Sequence, residues 1–134
     1  MISNPLIWME MSNLEEEDKI KLSKIIKVYK QYRKEIFNAE IIPIGDMPDG
    51  CSFTGFQIKN SENSGFLLLF KEKANSNEYV FKLDGLSNNV LKYDYLYSNT
   101  NFEFINLNRI ISSYGELTVN FQIHRSFIFV KYCI

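Results

Sequence analysis

Two aspartates in one loop, Asp46 and Asp49, are the first residues of the chain that could carry out chemistry. A pair of carboxylates can act as acid and base in a glycosidase, or bind a calcium ion. These two lie three positions apart among prolines and glycines, where an aspartate side chain usually bonds its own backbone. A glycosidase normally draws its two carboxylates from opposite walls of a cleft. The spacing therefore favours turn chemistry over catalysis or calcium binding.

The chain has a single histidine, His124, which limits the metal and nucleophilic chemistry available to it. It excludes the HExxH motif and any metal site with two histidine ligands. A Cys–His dyad would need Cys51 or Cys133 beside His124, together with a group that orients the histidine. Because His124 falls in a predicted turn before the last strand, we expect a structural or solvent-exposed role. The sequence therefore predicts no catalytic residue, no metal site and no cofactor.

The two cysteines are far apart in the sequence and form no CxxC motif. We expect both to be free thiols. A disulfide between them is the alternative, and it requires the two segments that carry them to be neighbours in the fold.

Three tyrosines, Tyr93, Tyr95 and Tyr97, alternate along one predicted strand. Alternate residues of a strand share a face, so three rings would form one flat platform that can stack on sugar rings. The same platform could instead receive the side of the helix that carries Tyr29 and Tyr32, or a neighbouring domain. Packing is the favoured interpretation, and carbohydrate binding is the alternative.

Composition sets the class of protein. The chain has 134 residues with 15 Lys and Arg against 16 Asp and Glu, and 46% of its residues are apolar. A chain of this length is expected to form one domain. Its charge is nearly balanced, so it lacks the surplus of basic residues that attracts proteins to nucleic acid or anionic membranes. The sequence contains neither a run of about 18 apolar residues nor a signal-peptide pattern. We therefore expect a cytoplasmic protein that binds no nucleic acid and no membrane.

The N-terminal third, residues 1–38, predicts one long amphipathic helix after a short apolar lead that contains Trp8 and Met9. Ser12 and Glu15 match a capping box, so the helix should begin near Asn13 and run to residue 37. An apolar stripe along one face predicts one buried side, and the remaining faces carry lysines.

Residues 39–134 predict strands separated by Asn, Ser and Gly clusters. The stretch from 40 to 59, with two prolines and three glycines, marks the change from helix to strand patterning. The continuous run FLLLF in 66–71 predicts a central strand covered on both faces. Seven or eight short strands at these intervals predict a mainly β protein, an antiparallel β-sandwich after one N-terminal helix. The predicted strands are 51–58, 66–71, 78–83, 90–97, 101–107, 116–123 and 127–134, with a less regular one at 109–112.

Several segments in this order resemble the C-terminal end of α-galactosidase-like glycoside hydrolases of the melibiase clan. They are PLIWMEM, IIKVYKQYRKEIF, PIGDMPDGCSFTGFQ, GFLLLFKE and SFIFVKY. In that family a catalytic (β/α)₈ barrel ends with a helix that carries a YKxxR-type pattern, here Tyr29, Lys30 and Arg33, and passes into an antiparallel sandwich. This sequence departs from the family because it lacks the barrel, so we expect either the C-terminal piece of a larger hydrolase or a free-standing relative of the sandwich.

The resemblance implies that the two catalytic aspartates lie upstream, so no residue of this chain inherits a catalytic role. It implies the barrel of the same parent chain as partner, with Trp8, Met9, Tyr29 and Tyr32 at the domain interface, and contacts that shape a homo-oligomer. The expected function is a non-catalytic accessory domain that supports the barrel. The alternatives are a carbohydrate-binding module and an independent small hydrolase.

Overall fold

The structure is a computed structural model that describes residues 11–87, 90–104 and 114–134. The chain divides into two compact units, Met1–Asn38 and Ala39–Ile134. Within the described residues, no helix is both long and apolar enough to span a membrane.

The first unit contains helix α1 (Glu16–Phe37), which follows a short 3₁₀ turn at Met11–Asn13. The predicted capping box is wrong, because Ser12 lies inside that turn and the N-cap is Glu15, which makes no side-chain cap bond. The acidic side chains of the first turn still lie at the positive end of the helix dipole. The predicted end at residue 37 is confirmed.

Eight strands in the described part of the second unit form two antiparallel sheets, which confirms the mainly β class and the sandwich. One sheet has the order β1-β2-β3-β8-β5, and the other has the order β4-β7-β6. The predicted strand at 109–112 and the end of the one at 101–107 lie outside the described residues. The strands are β1 (Glu40–Gly45), β2 (Phe53–Ser61), β3 (Ser64–Lys71), β4 (Glu78–Lys82), β5 (Lys92–Ser98), β6 (Phe102–Phe104), β7 (Glu116–Phe121) and β8 (Ser126–Cys133).

Strand β1 was not predicted, because Pro43 argues against a strand interior. It occupies an edge of the five-stranded sheet, where Pro43 lies opposite Phe56 of β2. Proline lacks the backbone donor that a central strand needs, but an edge strand can leave that position unpaired. The location at the edge therefore explains how the segment remains a strand.

Strand β3 is the third of the five strands and has apolar side chains on both faces. Leu67 and Leu69 lie in the core between the two sheets. Phe66 and Leu68 alternate with them and so lie on the outer face, yet all four residues are at most 4% exposed. The prediction that this run is covered on both faces is confirmed.

A buried glutamine joins the two sheets. Gln57 of β2 is 0% exposed, and its side-chain oxygen accepts a bond of 2.7 Å from the Asp84 amide. Its side-chain nitrogen donates to the Asp84 carbonyl at 3.0 Å and lies 3.4 Å from the hydroxyl of buried Tyr132. Lys59 forms an ion pair of 2.6 Å with the Asp84 carboxylate. The turn after β4 is therefore held to the other sheet by polar bonds.

We predict that Gln57→Leu lowers the free energy of unfolding by about 1–3 kcal/mol, since it keeps the side-chain volume but leaves the Asp84 backbone groups without their partner. Chemical denaturation measures the difference. The control is Gln122→Leu, at an exposed position, which should change stability by less than about 0.5 kcal/mol. Equal effects of the two variants would contradict a joining role for Gln57.

Candidate functional site

The predicted platform of three tyrosines does not form. Tyr93 and Tyr95 pair in register with β8, and Tyr95 lies opposite Val130, but a bulge then brings Tyr97 opposite Phe129. Consecutive residues of a strand face opposite sides, so Tyr97 lies on the other face of the sheet from Tyr93 and Tyr95. The prediction that the three rings share one face is wrong, because one extra residue in β5 shifts the alternation.

Tyr93 and Tyr95 instead contact the second sheet. The Tyr93 ring lies 4.8 Å from the ring of Phe104 in an edge-to-face arrangement, and it packs against the core between the sheets. Tyr95 is 58% exposed, lies 6.3 Å from Phe102, and accepts a bond from the Ser98 amide at 2.9 Å. For Tyr93, this geometry favours packing over ligand binding.

On the outer face, three half-buried rings from adjacent strands form a set that we name the aromatic row: Tyr97, Phe127 and Phe70. The Tyr97 and Phe127 rings stack at 5.7 Å with 23° between their planes. Phe127 and Phe70 lie 6.1 Å apart. The sequence does not reveal this row, since each phenylalanine stands in a run that is apolar at almost every position.

A cavity of about 410 Å³ lies beside the aromatic row, and we name it the end cavity. The rings of Phe70 and Phe127 belong to its lining, together with Glu72, Lys73 and Arg125. Its volume is within the range of about 300–1,000 Å³ found for ligand sites. Lys73 follows the end of β3 and Arg125 precedes the start of β8, so antiparallel pairing of these strands brings the two cations to one end of the sheet.

The backbone at Arg125 is held in an uncommon conformation. Its φ of 51° is the only positive value at a non-glycine residue among those described. The Arg125 amide donates to the Glu72 carbonyl at 3.0 Å, and the Asn99 side chain donates to the Arg125 carbonyl at 3.1 Å. The Asn99 side-chain oxygen also accepts from the Phe127 amide at 2.7 Å. Such conformations persist where surrounding bonds fix them, and they cluster at functional sites.

The loop that precedes β2 is tied to the same end of the sheet. The Glu72 carboxylate accepts a bond of 2.7 Å from the Gly50 amide, and the Lys73 amide donates to the Gly50 carbonyl at 3.2 Å. The Glu72 amide donates to the Ser52 carbonyl at 3.0 Å. Hydrogen bonds therefore join Gly50, Glu72 and Lys73, which all belong to the lining of the end cavity.

The side chain of Asp49 bonds within this loop, whereas that of Asp46 bonds to strand β4. Asp49 accepts bonds from the Ser52 hydroxyl at 2.6 Å and the Cys51 amide at 2.8 Å, and these bonds lower its pKa. The predicted turn chemistry is confirmed for Asp49. For Asp46 the prediction is wrong, because its carboxylate accepts a bond of 2.8 Å from the hydroxyl of Tyr79 in β4. Across the described residues, no three His, Cys, Asp or Glu side chains are grouped as metal ligands.

Two buried or half-buried polar groups lie near this loop, on the inner side. Burial, followed by the bond to Asp46, raises the pKa of Tyr79 to about 12, and its ring stacks on Phe53 at 4.8 Å. Lys71 is 1% exposed, burial lowers the pKa of its ammonium, and it donates to the Asn77 side chain at 2.6 Å. Neither group was singled out from the sequence, because their burial depends on the pairing of distant strands.

We predict that the stability advantage of the native chain over Tyr79→Phe shrinks as pH rises from about 9 to about 11.5. Unfolded tyrosine ionises near pH 10, so above that pH the unfolded state loses a proton that folded Tyr79, with a pKa of about 12, retains. The stabilising contribution is therefore complete below pH 10 and falls towards pH 12.

Denaturation at the two pH values measures this change. The second variant, Asp46→Asn, should keep most of the pH dependence, because burial is the larger cause of the raised pKa. An equal advantage over Tyr79→Phe at both pH values would contradict the account.

The other residues that the sequence suggested as site or interface residues lie in several different parts of the chain. His124 is exposed in the turn between β7 and β8, as expected, and Cys51 and Cys133 are exposed free thiols, which confirms that prediction. Trp8 and Met9 lie outside the described residues. Tyr29 and Tyr32 are half-buried on α1, and their role at a domain interface stays a prediction.

Comparison with protein-family models, curated proteins and solved structures finds no significant match to this chain. The resemblance to α-galactosidase-like hydrolases therefore stays a prediction that rests on the segments quoted above.

Proposed function

We propose that the chain is a non-catalytic accessory domain of an α-galactosidase-like glycoside hydrolase, in which it supports the catalytic barrel. The observation that carries the proposal is the apolar stripe of helix α1. The helix has 22 residues and an apolar stripe, but among them only Ile36 is fully buried, and Phe37 is 70% exposed. The rest of the stripe is half-buried: Leu22, Ile25, Ile26, Tyr29 and Tyr32.

An amphipathic helix in a protein draws most of its stability from packing of its apolar face. A helix with such a stripe needs a packing surface along its length. The last helix of a barrel has that requirement, because it must pack against neighbouring barrel elements. The order of one helix followed by an antiparallel sandwich also agrees with the resemblance.

The carboxylates offer independent support for a non-catalytic role. Asp46, Asp49 and Glu72 each accept a hydrogen bond of 2.8 Å or less from a group of the sandwich. The bonds to Asp46 and Asp49 hold a loop of the sandwich in place, which is a structural role. Tyr93, Tyr95 and Tyr97 do not share one face of the sheet. The flat platform on which the alternative of a carbohydrate-binding module depended therefore does not form.

The test is to isolate the native product from its source cells with an antibody against this chain. We predict a polypeptide longer by at least a barrel of about 250 residues, which hydrolyses a nitrophenyl α-galactoside. The recombinant chain alone should give no turnover. A native product of 15.8 kDa with no associated hydrolase activity would contradict the proposal, as would turnover by the chain that Asp46→Asn or Asp49→Asn abolishes.

A further inference from the structure

We propose that the end cavity binds an acidic carbohydrate, with a pyranose ring on the aromatic row and its carboxylate at Lys73 and Arg125. This site goes beyond a supporting role for the domain and does not depend on it. Three features of the cavity carry the inference: the rings, the cations and one carboxylate.

The rings supply a surface for the apolar face of a sugar. Phe127 lies between Tyr97 and Phe70, at 5.7 Å and 6.1 Å, so the three strands present adjoining rings. The C–H groups on one face of a pyranose are weakly positive and pack on the negative face of an aromatic ring. Half-buried rings keep part of that surface accessible while packing fixes their orientation.

The cations supply the charge preference. Lys73 and Arg125 are both exposed, and within the described part of the chain neither side chain forms an ion pair. The lining also includes Lys71, which is buried and donates to the Asn77 side chain, and Glu72. Three cationic residues against one carboxylate leave a positive surplus that attracts an anion. The planar guanidinium of Arg125 matches a carboxylate with two parallel bonds.

Glu72 favours a sugar acid over a simple anion as the ligand. One of its carboxylate oxygens is held by the Gly50 amide at 2.7 Å, and the other accepts no bond from the described residues. A carboxylate in the lining accepts bonds from the hydroxyls of a sugar acid, whereas sulfate has no donor to offer it. Rings, cations and a hydroxyl acceptor together match a polyhydroxylated ring that carries a negative charge.

The cavity is also organised before a ligand arrives. Two hydrogen bonds hold the backbone of Arg125. Its amide donates to the Glu72 carbonyl, and its carbonyl accepts from the Asn99 side chain. Gly50 and Lys73 are joined through their backbones at 3.2 Å. A site that is already ordered loses less entropy on binding, so a small ligand can be held by few contacts.

The test uses isothermal titration calorimetry with two matched probes, oligogalacturonate and the same oligomer with its carboxylates methyl-esterified. We predict that the acid binds and that added salt weakens the binding, whereas the neutral ester binds at least about tenfold more weakly. Arg125→Asn should weaken acid binding by about tenfold or more, and Lys73→Gln should weaken it measurably. Asparagine is chosen because it tolerates a positive φ better than most residues.

The control is Lys82→Gln, which removes one exposed positive charge from β4, on the other sheet. It should leave the affinity unchanged, and circular dichroism should show all variants folded. Absence of acid binding, equal binding of acid and ester, or equal losses in Lys82→Gln and Arg125→Asn would each overturn the proposal. Binding of polyglutamate as tight as that of oligogalacturonate would overturn the assignment of a carbohydrate, since that peptide has charge but no pyranose ring.

Discussion

The pairing of β3 with β8 is the constraint on which the rest of the sandwich depends. Eight consecutive residue pairs, from Ser64 with Cys133 to Lys71 with Ser126, run without a register shift through the centre of the larger sheet. Because side chains alternate, this ladder assigns every residue of both strands to the inner or the outer face. A slip by one residue would exchange the core between the sheets with the aromatic outer face. The same ladder brings Lys73 and Arg125 together, since each stands just beyond one of its strands.

Sequence patterns predicted the parts of the fold that depend on local preference. The class, the helix end at residue 37 and the doubly covered β3 follow from periodicity and apolar runs, which are local signals. Strand β1 was missed because the penalty of a proline depends on whether a strand lies at an edge, and that is set by partners far along the chain. The capping box failed for a related reason, since the Ser12 pattern fits a cap but the residues around it form a 3₁₀ turn instead.

The candidate site also combines features that local sequence predicts with features that depend on distant strands. The turn at Asp49 was predictable, because it involves residues two and three positions away. The bulge between Tyr95 and Tyr97 has no local marker such as a glycine, yet it moves Tyr97 to the face where Phe127 lies. Gln57 is similar, because a polar residue within a strand is expected to be exposed. Its burial depends on Asp84, a hydrogen-bond partner 27 residues later in the sequence. Long-range pairing thus decides both the buried polar bond and the aromatic row.

The position of the Tyr97 ring is the most direct test, because both the loss of the predicted tyrosine platform and the aromatic row depend on it. Nuclear Overhauser effects between aromatic side chains measure this position in solution. The account predicts contacts between the ring protons of Tyr97 and Phe127, and separate contacts between Tyr93 and Phe104. Contacts from Tyr97 to the methyl groups of Val130, on the inner face, would contradict it. That result would restore three tyrosines to one face and remove Tyr97 from the aromatic row beside the end cavity.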